Sequence, residues 1–325
     1  MLDTITYSIF WFFILAVALY TLLRSADYFV ETAEKFGLKF KIPAFIVGAT
    51  VVAFGTSLPE LAVGVISVLQ DESDIVTGTV VGSNISNILF IIGVGIALSS
   101  GLKIDFNKQK VEFLILIATT LICSYFLYDK QMTTIEAIIC LLMLLAYLIY
   151  VIKFSKSEEE EEQSEDEKFN AIKIALFIAS IGGIWLGAKF VTDAIVNISS
   201  RLNLGSDVIS QTVVALGTSL PELAVTISAT RKKKFGIVLG NVIGSNIFNL
   251  LAVLSIPAIV GNLTHHFYVV KDNSFNTFSI PIMIGATLLL VLLSLLKQTP
   301  RVAGFIFILL YLFFMVGSFL KIELL

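Results

Sequence analysis

Histidine and cysteine are nearly missing from this chain of 325 residues, with two of each, and only 14% of its residues are charged. Cys123 and Cys140 fall in separate apolar segments, where they read as small packing residues rather than a disulfide. His265 and His266 are neighbours in one short polar connection and read as a solvated loop pair. The imidazole and thiolate clusters that zinc or copper prefer are therefore not on offer. A Ser–His nucleophile pair and an aspartate pair on facing helices are lacking too, which argues against an intramembrane enzyme and against any cofactor. No basic patch is interleaved with aromatics, so nucleic acid is excluded as a partner.

What the chain has in abundance is apolar sequence. Hydrophobic residues make up 57% of it and mean hydropathy is +0.92, well above a soluble domain. Apolar runs recur from end to end, several longer than the roughly 20 residues that cross a bilayer core. This predicts an all-α polytopic membrane protein with spans near 5–34, 42–70, 74–99, 109–127, 132–154, 171–200, 206–230, 236–260, 277–296 and 301–321. The one long polar segment, 155–170, carries Glu158 to Glu162, Glu165, Asp166 and Glu167, and cannot bury enough apolar surface to fold alone. It divides the chain into a first five-helix unit, 1–154, and a second, 171–325.

Lysine and arginine crowd connections of one parity: Lys35, Lys39, Lys41, Lys103, Lys108, Lys110, Lys153, Lys156, Lys168, Lys173, Arg231 to Lys234, Lys297 and Arg301. The opposite connections hold only Lys130, Arg201 and Lys271, with Lys321 near the end. By the retention of basic residues inside, both termini face outward and segment 155–170 faces the cytoplasm of a cell membrane.

The sequence repeats itself. TVVAFGTSLPELAV, Thr50 to Val63, returns as TVVALGTSLPELAV, Thr212 to Val225, changed only at Phe54 against Leu216. GTVVGSNISN, Gly78 to Asn87, returns at the same offset of 162 as GNVIGSNIFN, Gly240 to Asn249. Five crossings per unit is an odd number, so the second copy enters the bilayer inverted. That is the plan of secondary transporters, whose binding sites lie at the midplane where the repeats meet. A duplicated helix pair that merely packs well is the blander alternative, but packing does not require an acid in the middle of each copy.

Those acids are Glu60 and Glu222, each near the centre of an apolar span, where a charge costs at least about 2.5 to 3.5 kcal/mol. A bound cation offsets that cost. The alternative is a protonated Glu, or one paired with Arg24 or Lys189 on the first and sixth spans. Pro59 and Pro221 lack an N–H and clash with the carbonyls of Gly55 and Gly217, freeing backbone oxygens around Ala53, Thr56, Ala215 and Thr218. Ser57 and Ser219 add hydroxyls. Calcium takes six to eight oxygens, a demand that two carboxylates and several carbonyls meet. Asn87 lies 27 residues after Glu60 and Asn249 lies 27 after Glu222, so duplicate geometry aims both amides at one centre, with Ser83 and Ser245 nearby. Packing and helix capping are the other explanation of these Gly, Ser and Asn residues.

GTSLPEL and GSNI in both halves resemble the alpha-repeats of sodium/calcium exchangers, in the cation/calcium exchanger superfamily. The motifs occupy about 43–98 and 206–260. The resemblance implies two inverted five-helix repeats, with long tilted first and sixth helices that slide, and four clustered ion sites. It assigns Glu60 and Glu222 to shared carboxylates, Thr56 and Thr218 to calcium-site carbonyls, and Ala53, Ser57, Ser83, Ala215, Ser219 and Ser245 to flanking sodium positions. Asn249 departs from members with Asp there, which leaves two formal charges rather than three and weakens any expectation of potassium transport. The implied activity is Na+/Ca2+ antiport by a monomer, three sodium ions per calcium, exporting calcium. An empty site would carry two uncompensated charges through a low-dielectric region, so exchange is obligatory. Protons in place of sodium are the rival, since protonation neutralises both glutamates equally well. A calcium sensor built around 155–170 is a third possibility.

Overall fold

A computed structural model describes residues 2–40, 42–99, 109–154, 171–201, 217–271, 275–296 and 299–319. Helical segments occupy all ten expected places: α1 Leu2–Phe40, α2 Ala44–Val68, α3 Ser73–Leu98, α4 Lys110–Phe126, α5 Thr134–Phe154, α6 Ala171–Arg201, α7 Leu220–Arg231, α8 Phe235–Leu263, α9 Ile280–Ser294 and α10 Arg301–Phe319. Eight of the ten places hold spans long and apolar enough to cross a membrane, the ninth by reaching back from α9 to Thr277; α4 and the described part of α7 fall short. The start of the seventh span, Ala215 included, and the acidic segment 155–170 lie outside the described residues.

The first helix outruns its expected end at 34. No proline intervenes before Pro43, and a Lys35–Glu31 pair at 3.0 Å supports the added turns. Inside the membrane core the helices are not uniform. Gly48–Val52 in α2, Ser86–Ile91 in α3 and Asn249–Val253 in α8 are π-helical, each beside a repeated motif, and such bulges mark functional sites. Pro59 is carried within a continuous helix below the first of these, whereas the Pro221 copy breaks its helix at Ser219. The expected backbone irregularity thus takes a different form in each half.

Helix α8 is the axis of the molecule and is buried without interruption from Ile237 to Ser255. Gly236, Gly240 and Gly244 form one face of it and let its backbone ride on α2. A Cβ at Gly240 would collide with the Phe45 carbonyl oxygen, and one at Gly244 would fall 2.6 Å from the Ala49 Cα. Helices α1 and α6 pack along one another in the same manner: a Cβ at Gly187 would lie 2.8 Å from the Leu22 backbone, and Phe29 stacks on Phe177 at 5.1 Å. Around this core, α4, α5, α9 and α10 turn Leu114, Leu142, Leu292, Phe305 and Leu309 outward. So broad an apolar exterior suits lipid.

The duplication is visible in the backbone. The α2–α3 and α7–α8 turns each place one non-glycine residue in the left-handed region, Asp71 at φ 60° and Lys233 at φ 59°. Their hydrogen bonds match too: Asp71 N to Val68 O at 3.1 Å and Lys233 N to Thr230 O at 3.0 Å. Charge is not duplicated. Asp71 meets His266 at 3.0 Å, whereas Lys232 donates to the Asp27 carbonyl at 2.6 Å and Lys234 pairs with Glu34, tying the second turn to α1.

Candidate cation site between the two repeats

At the centre, α3 and α8 cross over a pseudo-twofold axis that four asparagines make explicit. Asn84 Nδ2 donates to the Asn246 carbonyl and Asn246 Nδ2 donates to the Asn84 carbonyl, both at 3.4 Å. Asn87 Nδ2 donates to Asn246 Oδ1 at 2.9 Å, and its repeat mate Asn249 donates to Asn84 Oδ1 at 3.3 Å. Each bond has a partner 162 residues on. With their N–H groups so spent, Asn87 and Asn249 are left with amide oxygens that have no hydrogen-bond partner.

The carboxylates come from α2 and α7, both packed against α8. Glu60 is 0% exposed and Glu222 1%. Ser57, on the same helix as Glu60, donates to Glu222 Oε1 at 3.1 Å, so the first half contributes to the second half's acid. Among the described residues, Glu60 Oε1, Glu60 Oε2 and Glu222 Oε2 have no hydrogen-bond partner. The two basic residues that might have paired with them are engaged or remote: Arg24 reaches Asp27 at 3.9 Å and lies 5.2 Å over the Tyr28 ring, and Lys189 is exposed. Five buried oxygens, all acceptors, thus face no donor, which is costly for each unless a cation supplies the missing charge.

A second group forms around the π turn of α2. The Thr56 hydroxyl lies 3.1 Å from the Val52 carbonyl, 3.2 Å from that of Ala53 and 3.3 Å from Asn241 Oδ1. Ser245 donates to the Ala53 carbonyl at 3.5 Å. Ala53, Thr56 and Ser245 are therefore brought together, as are Ser57 and Glu222. Ser83 is buried on α3, Ser219 is buried with an unpartnered hydroxyl, and Thr218 is half-buried beside it. A narrow cleft reaches Thr56, Pro59 and Pro221 between Phe29 of α1 and Ile181 and Trp185 of α6.

Two features escape the sequence. Asn84 and Asn246 stand out there only as members of a repeated block, while in the fold they are the links that orient Asn87 and Asn249. Asn241 holds Thr56, yet its repeat mate is Thr79, so comparison of the halves does not single it out.

The family model described as sodium/calcium exchanger protein matches residues 10–155 and 172–320. Sodium/calcium exchanger MaX1 of Methanosarcina acetivorans is 34% identical over 350 aligned positions, covering 95% of this chain and 98% of that one. A putative antiporter, CaxA of Alkalimonas amylolytica, is 31% identical across 91% of this chain and 94% of its own length. Among solved structures, the sodium-calcium exchanger NCX_Mj soaked with Na+ and Sr2+ superposes with a TM-score of 0.82 at 28% identity, covering 95% of this chain and 99% of that one.

Proposed function

Because the chain belongs to the sodium/calcium exchanger family, a family of transporters and not of enzymes, we propose that it exchanges Na+ for Ca2+ by alternating access at the Glu60–Glu222 centre. The observation that carries this is the set of acceptor oxygens on Glu60, Glu222, Asn87 and Asn249, buried with no donor and no basic partner. Hard oxygens, two of the four side chains charged, suit a calcium ion. They suit several sodium ions by the same charge count.

In this proposal one Ca2+ cancels the two carboxylates, and sodium ions do so in the opposite half-cycle. The bare site, with two negative charges, does not cross. Glu60 and Glu222 bind both cargoes, with Asn87 and Asn249 supplying amide oxygens. Ala53 and Ala215, with Thr56 and Thr218, supply carbonyls, and Ser57, Ser83, Ser219 and Ser245 supply flanking hydroxyls. The units 1–154 and 171–325 act as inverted halves of a monomer in the cell membrane, with both termini outside and 155–170 in the cytoplasm. Three sodium ions per calcium make the cycle electrogenic and direct it to calcium export.

The deciding experiment is calcium flux into vesicles under an imposed sodium gradient at clamped pH. Uptake that rises with the sodium gradient is expected. Uptake indifferent to sodium but driven by a pH gradient would reject sodium coupling and put protons on the same two glutamates.

A further inference from the structure

Glu222 begins a polar file on α7 that has no equivalent in the other half. Thr226 and Thr230 follow it at one and two helical turns, on the same face. They are 0% and 5% exposed, and neither hydroxyl has a hydrogen-bond partner among the described residues. A buried threonine in a helix ordinarily gives its proton to the carbonyl one turn back. Thr32, Thr119, Thr120 and Thr287 all do so, and Thr77 pairs with the Tyr268 hydroxyl at 2.8 Å. Thr226 and Thr230 therefore turn their hydroxyls away from a bond that their own helix offers.

The corresponding positions of the first half are Gly64 and Val68, and they are packed solid. A Cβ at Gly64 would lie 3.0 Å from Pro257, and Val68 is fully buried in the apolar core. Beside the threonines stands Gly95 of α3, where an added Cβ would lie 3.6 Å from Thr230 Oγ1. Leaving two buried hydroxyls unsatisfied costs about 1 to 3 kcal/mol each. Water or a cation with its hydration shell removes that cost.

We propose that Thr226 and Thr230 are a hydroxyl-lined path for water and monovalent cations, leading from Glu222 to the turn at Lys232–Lys234, and hence to the cytoplasmic face. This rests on the exchange function and orientation proposed above. It makes the two faces of the transporter unlike: the site reaches the cytoplasm through hydroxyls of α7, whereas the matching stretch of α2 is closed by Pro257.

Accessibility tests the path without relying on transport. In a Cys123→Ala, Cys140→Ala background, the Thr226→Cys and Thr230→Cys variants would be exposed in oriented membrane vesicles to a small cationic methanethiosulfonate, added to one face at a time. Both introduced thiols are expected to react from the face that carries Lys232–Lys234, Thr230→Cys the faster. Failure of both to react from that face, with calcium binding intact, overturns the path. Independently, the isosteric pair Thr226→Val, Thr230→Val removes only the hydroxyls. It is expected to keep equilibrium calcium binding while exchange slows about tenfold, and exchange at the unaltered rate would also overturn the path. Should the unaltered chain bind no calcium, the exchange function fails instead, and thiol labelling still reports on the path by itself.

Discussion

Glu60 and Glu222 differ in how they are held, and the difference predicts a hierarchy of mutants. Glu222 accepts a hydrogen bond from Ser57, while both oxygens of Glu60 lack any donor. Glu60→Gln keeps the shape and removes the charge that a divalent ion must meet, so calcium transport should fall by more than about 100-fold. Detergent-solubilised protein should at the same time melt no lower than the unaltered chain, because a neutral amide is cheaper to bury. Radiolabelled calcium uptake and a thermal unfolding scan check the two halves of this prediction; a variant that transports normally removes Glu60 from the site. Ser57→Ala is a milder change, deleting one hydrogen bond to a charged group worth about 1.5 to 3 kcal/mol, and should weaken apparent cation affinity on the order of tenfold. Both acids were legible in the sequence because a charge inside an apolar span has few physical explanations. Asn241 was not, since a lone amide in a helix is compatible with many packings and its repeat mate is Thr79.

Among the elements, α8 is the least forgiving. Its backbone touches that of α2 at Gly240 and Gly244, with no side chain between them to yield. Gly240→Ala should therefore force the two helices apart, lowering stability by about 1 to 3 kcal/mol in the manner of an overpacked core. Gly285, on the outer face of α9, meets nothing within 4 Å. Gly285→Ala should instead raise stability by about 0.5 to 1 kcal/mol, through helix propensity alone. Unfolding in detergent, followed by loss of monodisperse protein on heating, separates the two; equal effects from both would mean that the α2–α8 contact does not hold the fold. Span number and order were readable from hydropathy. The π turns were not, because their sequences are as apolar as the α-helix around them and differ only in which carbonyl each N–H selects. The ion pairs from α1 to the α7–α8 turn were likewise hidden: Glu31 and Glu34 resemble helix-end anchors until Lys232 and Lys234 are folded against them.

For the whole molecule, inversion of two equal halves would make the proposed site reachable in turn from either side, but it is the charge carried per cycle that sets the driving force. Two carboxylates with one Ca2+ are neutral; the same pair with three Na+ carries one net positive charge. In vesicles loaded with sodium, calcium entry would then move one positive charge outward per cycle. An inside-positive potential should accelerate that uptake and an inside-negative potential should slow it. One charge moving through 100 mV is worth about 2.3 kcal/mol, so the calcium gradient reached at steady state should shift about 50-fold per 100 mV. Clamping the potential with potassium and valinomycin at fixed sodium, and measuring the calcium retained, gives the slope directly. A slope of zero would mean an electroneutral exchange, with two sodium ions matched to the two glutamates. Asn249 in place of an aspartate bears on the same number, because a third carboxylate would add one more negative charge for the cargo to neutralise. Asn249→Asp should accordingly make the unloaded site costlier still and draw another monovalent cation into the cycle, visible as a change in the sodium dependence of uptake.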